Sequence, residues 1–304
     1  MIDLRVNVFN TSSNLPLLAA LQAGDFEREG LRIEVQHTPN SDEQRAGLAA
    51  GRFEIAHAAV DNAVALIESG TDAVIVCGGD AGLNDFIVRP EIGSFADLRG
   101  GKLAVDAPNT AYALAAKKIL KDRGLLEGRD YQVKLAGGTG PRAAALASDP
   151  ELTCGMINPP FNFKLRAQGL KSLGTQFDLL GPYQATGAYV MRGWAQAHAH
   201  AQTLTAYLRA YVSGQRRVMD RAHRAAMLAL LTANFKLEGQ AAENTYEALL
   251  TEGSGLARDA AFNAEGFDRV LSIRAEMEGM WGGRPPAAQR YVDLSFYQRA
   301  LAQG

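Results

Sequence analysis

Six short stretches gather the side chains able to hold a small molecule. Residues 10–14 supply Asn10, Thr11, Ser12 and Asn14; residues 37–41 supply Asn40; and residues 58–62, just after His57, supply Asp61 and Asn62. Further on, residues 106–112 supply Asn109, Thr110 and Tyr112, residues 137–142 supply Thr139 and Arg142, and residues 158–161 supply Asn158. Hydroxyls, carboxamides and glycine backbone serve neutral polar groups and anions alike, and Arg142 could grip a carboxylate or sulfonate through two N–H groups. A competing account exists for each: Ser, Thr, Asn and Asp stand at helix starts because they cap them. Arg142 could equally be a solvated surface arginine, and His57 a satisfied structural histidine rather than a ligand contact.

Other patterns fail as chemistry. Gly137-Gly-Thr-Gly140 lacks the lysine and spacing of a phosphate loop, and allows only close backbone approach to a small ligand. His198 and His200, two residues apart on a helix, point about 200° apart and are poorly placed to share a metal ion. No nucleophile elbow, zinc motif or Ser/His/Asp set is legible. The expectation is therefore no catalytic residue, no metal and no cofactor.

The elements that must position these residues read clearly in the middle of the chain. Asn84 to Leu125 opens with a short strand, Phe86–Val88, that stops at Arg89-Pro90, since proline cannot continue an interior ladder. A second strand, Lys102–Val105, meets a polar turn, and a helix follows from Ala111 to Gly124-Leu125, a glycine and apolar pair suited to a Schellman cap. Similar strand–loop–helix units precede it, at Leu4–Phe9, Leu31–Gln36, Glu54–His57 and Ala73–Cys77, and follow it, at Tyr131–Leu135 and Thr153–Ile157. That alternation predicts an α/β fold with mainly parallel sheets. From Trp194 onward the pattern turns to amphipathic helices.

The run Ser94-Phe-Ala-Asp-Leu-Arg-Gly-Gly-Lys-Leu-Ala-Val-Asp106 resembles the type II periplasmic binding protein fold, and within it the NMT1/THI5-like group. Leu15-Pro-Leu-Leu18, Gly24-Asp-Phe-Glu-Arg-Glu-Gly-Leu31, Gly51-Arg-Phe-Glu-Ile-Ala56 and Asp61-Asn62 share that resemblance, which spans essentially the whole chain. It implies two lobes, each a mainly parallel sheet flanked by helices, with C-terminal helices packed on the first. It also implies substrate-binding components of importers, with an ABC permease and ATPase as partners. Residues 1–85 and 190–304 are expected to form the first lobe and 86–189 the second, hinged by paired crossing strands at Phe86–Val88 and Ala188–Met191. The expected function is a binding protein closing over a small anionic or heterocyclic organic molecule. The alternatives are a cytoplasmic enzyme on the same fold, a decarboxylase or a cofactor-precursor synthase, and a cytoplasmic ligand sensor.

Composition sets outer limits. The 304 residues, with 47% hydrophobic and 21% charged, suffice for two packed lobes. A net charge of −2 without a basic block gives no reason to expect a nucleic-acid partner. No apolar run approaches the ~20 residues of a membrane span, so a chain that does not cross the bilayer is expected; a monomer is expected as well. The N-terminus reads as a strand rather than a leader, which implies a periplasmic location if a leader was removed and a cytoplasmic one otherwise. Cys77 and Cys154, without CxxC partners, are expected as buried free thiols.

Overall fold

A computed structural model describes residues 1–303. Its first part runs β1 (Ile2–Val8), α1 (Leu15–Gln22), α2 (Asp25–Arg28), β2 (Leu31–His37), α3 (Ser41–Ala49), β3 (Ile55–Ala59), α4 (Val60–Glu68) and β4 (Ala73–Gly78). In β1 the alternation buries Leu4, Val6 and Val8, and in α1 Pro16 occupies the first turn, where its missing N–H is not needed. The second part holds β5 (Asp85–Val88), β6 (Gly101–Val105), α5 (Ala111–Lys121), β7 (Tyr131–Leu135), α6 (Thr139–Ser148), β8 (Cys154–Ile157), α7 (Phe161–Ala167) and β9 (Lys171–Thr175). Helix α5 ends in the expected Schellman arrangement. Gly124 adopts a φ of 75°, Leu125 N–H donates to Leu120 O at 3.0 Å, and Gly124 N–H donates to Lys121 O at 2.9 Å.

The remainder runs α8 (Gln176–Leu180), β10 (Thr186–Met191), α9 (Arg192–Gln196), α10 (His198–Met219), α11 (Arg224–Phe235), α12 (Gln240–Leu250), α13 (Ala264–Glu278) and α14 (Ser295–Ala302). Two five-stranded sheets result, ordered β2-β1-β3-β10-β4 and β7-β6-β8-β5-β9. Each is parallel but for its fourth strand: β10 runs antiparallel to β3 and β4, and β5 antiparallel to β8 and β9.

This corrects the reading of β5 and β10 as crossing strands. Both lie wholly inside a sheet, and residues 186–189 stand in the first sheet. The crossings are the segments before them, 79–84 and 176–185, and they are tied together. Asn84 Nδ2 donates to Gln176 Oε1 at 3.1 Å, Gln176 N–H to Asn84 O at 2.7 Å, and Ala185 N–H to Asp80 O at 3.0 Å. Strand β9, with the sequence Lys-Ser-Leu-Gly-Thr, has no apolar alternation to announce it. It is an edge strand whose register on β5 shifts midway.

Helix α10 packs on α1 at close range. A Cβ on Gly214 would lie 2.1 Å from Pro16 O. The C-terminal helices also reach the second lobe: Glu276 of α13 pairs with Lys121 at 2.9 Å and Lys118 at 3.2 Å, both on α5. Cys77 in β4 and Cys154 in β8 are free and buried, each thiol pushed up to about 12 chiefly by desolvation.

Candidate functional site

Loops leaving the carboxyl ends of β1, β3, β6, β7 and β8 converge between the lobes, the place where open α/β sheets gather ligands. They line a cavity of about 770 Å³, mouth included. From the first lobe Thr11, Asn14, His57 and Asn62 face it, and from the second Thr110, Tyr112, Thr139, Arg142 and Asn158.

Five residues singled out from sequence stand outside this lining. Asn10 is exposed. Ser12 is fully buried, and its hydroxyl donates to Pro159 O at 2.9 Å, so it ties the lobes together instead. Asn40 caps α3, its Oδ1 accepting from Glu43 N–H at 2.8 Å. Asp61 is engaged by Arg274 through two bonds, Nε to Oδ1 at 2.7 Å and Nη2 to Oδ2 at 2.6 Å, with both side chains 3% exposed. Arg274 also donates to Asn109 O at 3.0 Å, which places Asn109 at the interlobe seam. Burial alone would lower the Arg274 pKa, but the Asp61 carboxylate outweighs it and holds the group above its ordinary value.

Arg142 is not the solvated arginine of the competing account. It is 3% exposed, and four of its contacts are to protein oxygens. Nε and Nη2 donate to Met156 O, each at 3.1 Å, Nη2 to Thr139 Oγ1 at 3.3 Å, and Nη1 to Gly137 O at 2.8 Å. Desolvation lowers its pKa, opposed by the nearby Asp106; a guanidinium still remains charged at any ordinary pH. Thr139 Oγ1 donates in turn to Asn158 Oδ1 at 2.9 Å. Of the two helix starts here, Thr110 is the N-cap of α5 without a side-chain capping bond, its hydroxyl donating instead to Ala107 O at 3.0 Å.

His57 shares a bond with Tyr207 Oη at 2.8 Å, and burial drives its pKa down to about 3. It is therefore a neutral imidazole at physiological pH. Tyr112, also lining the cavity, is pushed up to about 12, first by burial and then by Asp80.

Sequence reasoning missed three participants. Ser41 and Asp106 lie in the candidate stretches but meet only across the interlobe gap: Ser41 N–H and Oγ donate to Asp106 Oδ2 at 3.1 and 2.5 Å. Asn62 Nδ2 donates to Ser41 Oγ at 3.1 Å, so one hydroxyl joins an amide and a carboxylate from opposite lobes. Tyr211 reaches the cavity from α10, far along the chain, and no local pattern marks it.

Residues 2–232 match the model of the NMT1-like family. The chain belongs to this family. As an NMT1-like protein it has the two-lobed type II periplasmic binding protein fold. Several solved structures share that architecture over nearly all of the chain. The ligand-binding component of an ABC-type import system from Staphylococcus aureus superposes with a TM-score of 0.82 at 13% identity, covering 99% of each chain. The periplasmic nitrate-binding protein NrtA from Synechocystis PCC 6803 gives 0.80 at 14% identity, covering 100% of this chain and 89% of the other. The alkanesulfonate-binding protein SsuA from Xanthomonas axonopodis pv. citri, bound to MOPS, gives 0.74 at 17% identity, covering 96% of each. No curated protein sequence matches the chain. Among the described residues, no helix is long and apolar enough to cross a membrane, and no group of three or more His, Cys, Asp or Glu is placed to hold a metal.

Proposed function

We propose that this NMT1-like chain is the substrate-binding component of an ABC-type importer, closing two lobes over a small anionic or heterocyclic organic molecule. The observation that supports this most is the cavity itself, lined from both lobes at strand carboxyl ends and bordered by hydrogen bonds between them. Among these are Gly138 N–H to Pro39 O at 3.3 Å and the Ser41–Asp106 pair. Such bonds form only when the lobes meet, so they reward closure in the way a hinged binding protein requires.

In this reading residues 1–85 and 190–304 move as one body and 86–189 as the other, save that the hinge lies in the crossings and β10 travels with the first sheet. A permease and an ATPase are the partners, the periplasm is the location, and the residues proposed to touch ligand are the cavity-lining ones named above. The neutral His57 and the fully engaged Asp61–Arg274 pair are not poised for proton transfer.

Native mass spectrometry of gently purified protein tests the proposal. The expected result is one retained small molecule whose removal enlarges the radius of gyration in small-angle scattering and whose return restores it. A chain that retains nothing, and whose scattering does not respond to a metabolite mixture, is not a binding protein of this kind.

A further inference from the structure

The cavity is not equipped mainly for an anion. Arg142 has five N–H groups, and the four contacts described above commit all but one Nη1 hydrogen to protein oxygens. A two-pronged grip on a carboxylate or sulfonate would have to break one of these bonds. The lining also carries two acceptors that no protein group completes. Asn62, 2% exposed, has its Oδ1 out of solvent and without a partner, and Asp106 has its Oδ1 in the same condition. Both residues line the cavity, and both are held by Ser41, which accepts from Asn62 Nδ2 and donates to Asp106 Oδ2. Ser41 thus ties the two side chains that carry these oxygens to one hydroxyl, one side chain from each lobe. Buried oxygens are seldom left unpaired, since the penalty exceeds what a typical hydrogen bond contributes. Asp106 also balances the charge of Arg142, so the lining as a whole does not call for a net negative guest.

We infer that the ligand presents nitrogen-borne hydrogens to the Asn62–Ser41–Asp106 edge, as a primary ammonium or as an amino-substituted ring. This rests on the binding-protein reading above, keeps its two closing lobes, and replaces the anionic ligand with one that donates N–H groups. The N–H groups complete the two free oxygens only when the lobes are together, because one oxygen belongs to each lobe. Such a ligand would close the cleft, whereas a pure acceptor such as nitrate or an alkanesulfonate would leave both oxygens orphaned.

Calorimetric titration of the full chain, in amine-free buffer, compares ethylammonium and 2-aminopyrimidine with nitrate and ethanesulfonate. One or both N–H probes should bind at least about tenfold tighter than either anion. Preference between the two distinguishes an ammonium group from a ring amine. An Asp106→Asn variant sharpens the test. Ser41 would still donate to the amide oxygen, so the new NH₂ would replace the free Oδ1 and turn an acceptor into a donor. Affinity for the preferred N–H probe should then fall by about tenfold or more, with anion binding not weakened. Anions binding tighter than the N–H probes, or a variant that binds the N–H probe as well as the parent, would overturn the donor edge and leave the binding-protein reading standing. A chain that binds none of the four is judged by the molecule it retains in native mass spectrometry. A retained compound with N–H groups supports the inference, one without them refutes it, and the retention of nothing together with no scattering response to a metabolite mixture refutes both readings.

Discussion

Arg142 shows how much a single residue's surroundings alter its meaning. Read as a solvated side chain, it could be removed with little effect on the empty protein. Its guanidinium instead satisfies Met156 O and Gly137 O inside the second lobe. Arg142→Ala should therefore destabilise the unligated chain by about 2–3 kcal/mol, since it leaves buried carbonyls without donors. Arg142→Lys should recover little, because one ammonium lacks the fork that reaches both carbonyls. Chemical denaturation midpoints measure both variants, and an unchanged midpoint for the alanine variant would show that these bonds contribute nothing net. His57 contributes one part of the pH dependence. Its folded pKa, about 3, lies below its ordinary value of 6.5, so the unfolded state binds the proton first as pH falls. The stability this contributes is present above about pH 6.5 and is lost as pH falls toward 3. The slope of stability against pH over that window should flatten in His57→Gln, by up to about 1.4 kcal/mol per pH unit. Over pH 7–8 the imidazole does not titrate, so ligand affinity should hold constant there for a ligand that does not itself ionise. At this scale the sequence was partly legible. Residue types at strand ends identified Thr11, Asn62, Thr139 and Asn158 as members of one set of loops. What it could not reveal is which side chains are already engaged, because Ser12, Ser41 and Asp61 find their partners more than 60 residues away.

Elements were more legible than residues where periodicity and punctuation agree. β7 has the predicted bounds, and α5 starts at the predicted residue and closes on Gly124 as its cap requires. β9 escaped because an edge strand with polar residues and an internal glycine carries no alternation. The tightest element contact depends on a glycine whose importance no pattern conveys. At Gly214, α10 approaches the backbone of α1, and a Cβ there would meet Pro16 O at 2.1 Å and Ala20 Cβ at 2.8 Å. Gly214→Ala should gain slightly in helix propensity yet lose overall, by about 1–3 kcal/mol of overpacking. A variant melting at or above the parent temperature would mean that α10 can shift away without penalty.

For the molecule as a whole, the Asp61–Arg274 pair joins α4, α13 and the Asn109 carbonyl of the second lobe at one buried point. Arg274→Met should destabilise by about 3–5 kcal/mol because it leaves Asp61 buried and unpaired, and adding Asp61→Asn should recover a large part of that loss. The two-variant cycle checks this: a double variant no more stable than Arg274→Met alone would assign the effect to lost packing rather than to the charge. The two-lobed architecture was legible through the family resemblance, and the strand–helix alternation gave the α/β sheets of each half. The true crossings were not, because short polar joints such as 79–84 look like any other loop. The placement of β10 bears on how the chain is made. While the ribosome is still translating the second lobe, β3 has one open edge and β4 has no strand beside it, because the strand that belongs between them has yet to be synthesised. All five strands of the second sheet, by contrast, lie in the unbroken segment from Asp85 to Thr175. The part of the protein encoded in the middle can therefore mature first, and the part encoded at the start must wait, its strand edges unprotected, for residues 186–191 to emerge. A chaperone that engages this nascent chain would find its target in the earliest residues, long after they have left the exit tunnel.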